Sequence, residues 1–301
     1  MKITRRDFTK KVAGLGVGGM LAFTGCGPRE EEENLSETPA DKQSTGGQTK
    51  LRRLGKTGLR LSPVGFGAQR TRDSDLIRYA LDQGVNHIET SWLYGFGRPG
   101  NSCECVGKAI AGRRDSVCLA VAYLAGPRPE SKMALPHQFE ESLRDLRTDY
   151  IDVFLWHHPA DNKLTLKEGQ SLITAGPAVD LMLKWKAEGK VRWCGLTTHS
   201  EQAEWLKFAV ESKLYDVAVV ALNYQSPKAV ARSMQEAWRK GLGLLAMKTQ
   251  SPNYMNGEVI GDAPDHRKAL DWVLSKGYVT AAIPGMTTRS QVDLNLKTMS
   301  S

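Results

Sequence analysis

The residues of this chain that can move a proton stand at the ends of short apolar runs. Val85–Glu89 closes on a carboxylate, Glu89, with the phenol of Tyr94 shortly after it, and Tyr150–Trp156 is followed by the imidazole of His157. Val191–Leu196 leads into Thr197 and Thr198, Gly243–Met247 into Lys248, and Val279–Ile283 into Pro284 and Gly285. A carboxylate, a phenol, an imidazole and an amine are side chains of general acid–base chemistry, provided one fold brings them to one substrate. The same residues argue against a metal centre. His157 and His158 are adjacent, and successive side chains of a strand face opposite sides, so they do not clasp one ion. None of the 5 cysteines has paired zinc spacing. Cys103 and Cys105 stand too close in sequence for an easy disulfide and read as buried or free thiols.

The elements that must position these residues alternate. Val64–Ala68 is strand-like; Asp73 and Ser74 then cap a helix whose Leu76, Ile77, Ala80 and Leu81 share one face before Gly84 ends it. Further strands are predicted at 85–89, 117–122, 150–156, 191–196, 217–222, 243–247 and 279–283. Helices are predicted at 102–111, 137–146, 177–188, 200–212, 227–240, 264–276 and 289–297. Pro177 and Pro227 suit first helical turns, and Gly84, Gly189 and Gly241 suit helix ends. Eight strand–helix units after residue 50 have the rhythm of a closed α/β barrel, the (β/α)8 or TIM barrel. An open doubly wound sheet is the alternative, but no GxGxxG turn follows the first strand. In a barrel the C-terminal strand ends share one mouth, so Glu89, Tyr94, His157, Thr197, Thr198 and Lys248 are predicted to converge there.

These positions carry a resemblance. The segments Leu51–Gly67, Gly84–Gly95 (GVNHIETSWLYG), Val106–Ile110, Tyr150–His157, Glu188–Gly195, Ala246–Lys248 and Ala282–Met286 occur in the order found in the aldo/keto reductase family, which the chain resembles from residue 51 to about 298. The resemblance implies hydride transfer from a nicotinamide cofactor, NADP or NAD, to a small carbonyl substrate or from the corresponding alcohol. It implies Tyr94 as proton donor or acceptor, His157 as the group orienting the carbonyl, and Glu89 in place of the family aspartate. The family lysine, whose ammonium lowers the phenol pKa from ~10, is replaced by Ala122. Lys248 could supply a substitute charge. Cofactor contacts implied by the resemblance are Thr197, Thr198, Lys248, Gly285, Arg289 and Asn295; Gly285 and Gln291 stand where NADPH-selective members carry basic residues. Trp92 and Trp156 are expected to wall the pocket or to be core. The loops 123–136, 158–176 and 249–263 are expected to line the entrance, with no clear anionic-substrate cluster, and the short stretch from the last helix to Ser301 is expected to leave the mouth open.

The N-terminus carries an address. Thr4–Lys10 (TRRDFTK), followed by the Gly-rich apolar run Val12–Phe23, resembles a twin-arginine signal, and Phe23–Cys26 resembles a lipobox whose cysteine is acylated. The run is too short for the ~20 residues of a spanning helix. Residues 27–50 are acidic and polar with almost nothing apolar, the composition of a disordered tether. The domains are therefore a signal at 1–26, a linker at 27–50 and a barrel at 51–301. An exported, periplasmic or cell-envelope protein is expected, touching a membrane surface only through a lipid on Cys26.

The net charge of +8 at pH 7 divides along the same lines. Residues 1–25 set five basic side chains against Asp7, residues 26–50 three against six, and the remaining excess is scattered without a nucleic-acid-binding motif. Three functions fit: an exported aldo/keto-reductase-like oxidoreductase, which is favoured; a catalytically degenerate barrel serving as a ligand-binding or surface lipoprotein; and a barrel lyase or isomerase without nicotinamide. Substrate and oligomeric state are not legible.

Overall fold

The computed structural model describes residues 50–124, 134–157, 165–250 and 265–297. The signal, most of the linker, and large parts of the predicted entrance loops, His158 included, lie outside the described residues.

Two short antiparallel strands, β1 (Arg52–Arg53) and β2 (Arg60–Leu61), come first, a hairpin the sequence reading does not anticipate. Eight parallel strands follow: β3 (Phe66–Gly67), β4 (His87–Ser91), β5 (Cys118–Tyr123), β6 (Ile151–Trp156), β7 (Val191–Thr198), β8 (Val217–Ala221), β9 (Gly243–Met247) and β10 (Ala281–Ala282). Each pairs with the next. The ring is closed by bridges from Val64 to Ala282 and from Gly67 to Gly285, with Gly65 N donating to Ala282 O at 2.8 Å and Gly67 N to Pro284 O at 3.0 Å. The closed α/β barrel is thus the observed fold.

Helices cover the ring: α1 (Ser74–Asp82), α2 (Ser102–Ala109), α3 (Leu135–Leu146), α4 (Leu166–Leu172), α5 (Pro177–Ala187), α6 (Gln202–Ser212), α7 (Lys228–Arg239), α8 (His266–Leu274) and α9 (Arg289–Leu296). Of these only α4 was not expected, although Thr165 and Glu168 form the capping box that announces it. The cap of α1 is as predicted: Asp73 accepts from Asp75 N and Leu76 N, and Leu76, Ile77, Ala80 and Leu81 are buried.

Strand periodicity divides the core in two. Ala120, Ala122, Val153, Leu155, Val217, Val219, Leu245 and Ile283 fill the barrel with Leu54 and Leu61 of the hairpin region. Ile88, Leu119, Val121, Phe154, Trp156 and Leu196 pack outward beneath the helices. Leu54 lies against Gly243 at the start of β9, and a Cβ on Gly55 would collide with the Gly243 backbone. The hairpin therefore plugs the N-terminal end of the barrel and leaves the C-terminal end to the site. Burial of each such aliphatic side chain stabilises the fold by about 1.5–3 kcal/mol. Trp156 belongs to the core rather than the pocket wall, because Val153 and Leu155 take the inward positions of β6 and Trp156 stacks edge-on against Phe154.

Candidate active site

The second barrel strand is shifted from its expected place. It runs to Ser91 because its polar end finds partners: Thr90 Oγ shares a hydrogen bond with Ser102 Oγ on α2 at 2.8 Å, and Ser91 Oγ donates to Ala122 O at 2.6 Å. Glu89 therefore sits inside β4 and not at its end, a correction to the predicted boundary. Its neighbours at the same level are Gly67 on β3 and Ala120 on β5, which leave room for an inward carboxyl.

After Ser91 the chain makes the turn that sets Tyr94. Tyr94 N donates to Ser91 O, while Tyr94 O accepts from Ser102 N and from the Arg72 guanidinium, both at 2.9 Å. Gly95 follows at φ +121°, where a Cβ would approach within 2.8 Å of Asn101 Cβ; only glycine suits both demands. The turn delivers the phenol to the carboxylate, with Tyr94 Oη donating to Glu89 Oε1 at 3.2 Å.

His157 closes β6, its N–H donating to Tyr123 O at 2.8 Å, and its ring meets that of His199 at 6.0 Å between centroids. Lys248 follows β9 in the left-handed region, φ +55°, with its carbonyl accepting from Asn223 Nδ2. Glu89, Tyr94, His157, Thr197 and Lys248 all line one cavity of about 700 Å³ at the C-terminal rim. Gly285 and Asn295 line it too.

The remaining expected cofactor contacts stand elsewhere. Thr198 is buried, directs its hydroxyl to Ser200 O, and does not line the cavity. The period of two along β7 turns it outward when Thr197 points in. Arg289 lies with its guanidinium 4.9 Å from the centre of the Tyr79 ring and is likewise absent from the lining. Sequence reasoning missed Arg70, His199, Thr249 and Gln250, which line the cavity. Their signal was available, since each follows a barrel strand within a few residues.

Burial pushes the Glu89 carboxyl up to about 7, against the opposing effects of the Tyr94 hydrogen bond and then the Lys248 charge. Lys248 is thus close enough to be felt at the carboxylate. Ala122 is fully buried, with its methyl in the barrel interior. Below Glu89 on the same strand, burial holds His87 down to about 3, and neither of its ring nitrogens has a partner among the described residues.

Several features point to a polar ligand. Thr249 is 1% exposed, and its hydroxyl has no hydrogen-bond partner among the described residues. Asn295 is buried, accepting from Gln250 Nε2 at 2.6 Å, and the Arg70 stem passes over Gly285, where a Cβ would come within 3.1 Å of it. A lining of hydroxyls, amides and two cationic side chains fits an anionic, hydrogen-bonding molecule. No group of side chains suited to a metal occurs among the described residues.

Comparison with known proteins places this chain in a family. The chain is similar to aldo-keto reductase YhdN of Bacillus subtilis, 30% identical over 166 residues, a match covering 49% of this chain and 46% of that protein, about half its length. It is similar to the uncharacterized oxidoreductase YqkF of the same organism, 23% identical over 289 residues, covering 82% of this chain and 90% of that one. An aldo/keto reductase from Klebsiella pneumoniae, solved with NADP and acetate, shares the fold at a TM-score of 0.63 and 24% identity, covering 83% of this chain and 90% of the other. The family model described as the aldo/keto reductase family matches residues 65–250, more than half of the chain, which therefore belongs to that family.

Proposed function

We propose that this protein is an exported, nicotinamide-dependent oxidoreductase acting on a small carbonyl or alcohol. The observation that carries the reading is the single rim cavity joining the phenol of Tyr94, the carboxyl of Glu89 and the imidazole of His157 to the polar lining around Thr249 and Asn295. NADP or NAD fits that lining. Thr197, Lys248, Gly285, Asn295 and Arg70 are the residues that would hold it, and Thr249 supports the fit as a lining residue whose buried hydroxyl has no partner among the described residues. The cofactor, when bound, supplies or accepts the hydride.

The chain's own residues handle the substrate oxygen. Tyr94 gives a proton to the oxygen in reduction and removes it in oxidation; His157 donates to the same oxygen and sets its direction. Twin arginines at Arg5 and Arg6 support export to the periplasm or envelope, and Cys26 supports a lipid anchor there.

A second reading, a barrel that binds a ligand without turnover, is favoured by Ala122, because the methyl in place of the family lysine leaves no cation on β5 beside the phenol. Both readings are tested by assaying a panel of aldehydes and ketones with NADPH and NADH. The wild type is expected to turn over, and Tyr94→Phe to lose about 10²–10⁴-fold in kcat/KM. Activity appearing only in Ala122→Lys would establish the ligand-binding reading instead.

A further inference from the structure

Without a lysine on β5, the phenol has a different neighbour to exchange protons with. The hydrogen bond from Tyr94 Oη to Glu89 Oε1 at 3.2 Å is direct, and both groups line the cavity where the reacting oxygen is proposed to lie. We propose that Glu89 is the proton reservoir of the reaction, its carboxyl and the Tyr94 hydroxyl forming a two-member relay in place of the lysine-tuned phenol. This inference rests on the oxidoreductase reading of the same cavity.

Hydrogen-bond direction gives the relay its logic. When Glu89 is a carboxylate, the phenol donates to it and presents only lone pairs to the cavity. When Glu89 is protonated, the carboxyl donates to the phenol oxygen and the phenol hydrogen turns to the substrate. Reduction therefore needs the acid form. The carbonyl carbon receives a hydride from a reduced nicotinamide dinucleotide, the C–O π pair moves onto oxygen, and that oxygen takes the phenol proton. The phenol oxygen takes the carboxyl proton, and the resulting Glu89 carboxylate is reprotonated from solvent through the cavity. Oxidation runs the same transfers backward and needs the carboxylate.

The surroundings suit this role. Gly67 and Ala120 flank Glu89 on β3 and β5, and neither titrates. Among the described residues the titratable groups around it are Tyr94 from its own turn, Lys248 from the end of β9, His157 from the end of β6, Cys103 from α2 and His87 below it on β4. Burial pushes the Cys103 thiol up to about 12 and holds His87 down to about 3, so both stay neutral across the working range. Burial raises the Glu89 carboxyl to about 7 and the Lys248 ammonium restrains the rise, which places the acid form within reach at neutral pH.

The direct test follows the carboxyl itself. In protein labelled with ¹³C at glutamate side-chain carboxyls, the resonance absent from Glu89→Gln is titrated from pH 4 to 9, alongside NADPH binding and the pH profile of kcat/KM in both directions. The expected result is a midpoint near 7, a reduction rate falling roughly tenfold per pH unit above it, an oxidation rate rising toward it, and both breaks gone in Glu89→Gln, which still binds NADPH. A midpoint in the ordinary carboxylate range, with cofactor binding intact, would overturn the relay alone. So would a break near pH 7 that survives in Glu89→Gln. Absence of cofactor binding in the wild type would instead remove the oxidoreductase reading on which the relay rests.

Discussion

A carboxyl held at about 7 inside the fold is also a statement about stability. The folded value of Glu89 lies above its ordinary value of 4.5, so the native state binds the proton more tightly than the unfolded chain. The associated stability is fully present below pH 4.5 and is lost as pH rises through about 7, a difference of about 3 kcal/mol. Glu89→Gln, which removes the titration, is expected to match the wild type in urea unfolding near pH 4.5. At pH 8 it should be more stable by up to about that amount. Equal stability at both pH values would show that the carboxyl is not buried as described. At this scale the sequence was informative about residue type and less so about direction. Glu89, Tyr94 and His157 were legible because each ends or follows an apolar run. The alternation that separates His157 from His158 also turns Thr198 away from the cavity, and Arg289 lies against the Tyr79 face.

Among the elements, the hairpin and the strand–turn–helix units convert local signals into geometry. The rhythm of eight runs was plain in the sequence, but boundaries moved wherever polar residues found cross-strand or helix partners, as Thr90 and Ser91 do. The hairpin escaped notice because its strands are two residues long, too short to show alternation. Helix α1 begins directly after the loop that bears Arg70, so its cap bears on the site rim. Asp73→Ala removes acceptance from Asp75 N and Leu76 N and is expected to cost about 1 kcal/mol in denaturant unfolding. A loss within error would mean that water caps the helix equally well.

For the whole molecule, the proposed address and the barrel form one account. A chain sent through the twin-arginine route crosses already folded, which suits a protein whose cofactor is taken up beforehand. Replacing Arg5 and Arg6 with lysine is expected to leave the protein in the cytoplasmic fraction, and Cys26→Ala to release exported protein from the membrane fraction. Export unchanged by the double substitution would contradict the address. No helix among the described residues is long and apolar enough to cross a membrane. The address is a proposal that rests on the resemblance of residues 4–26 to known signals. The substrate was not legible, because parts of the loops expected to shape the entrance carry no pattern that singles out one chemistry.

An oxidoreductase of this kind requires the rim cavity to be a nicotinamide dinucleotide site. Equilibrium titration of the purified, folded protein with NADPH and with NADH, followed by cofactor fluorescence, tests this most directly. Saturable binding of at least one of the two is predicted, weakened by substitution of Asn295, which lines the cavity. No binding of either at millimolar cofactor would contradict it.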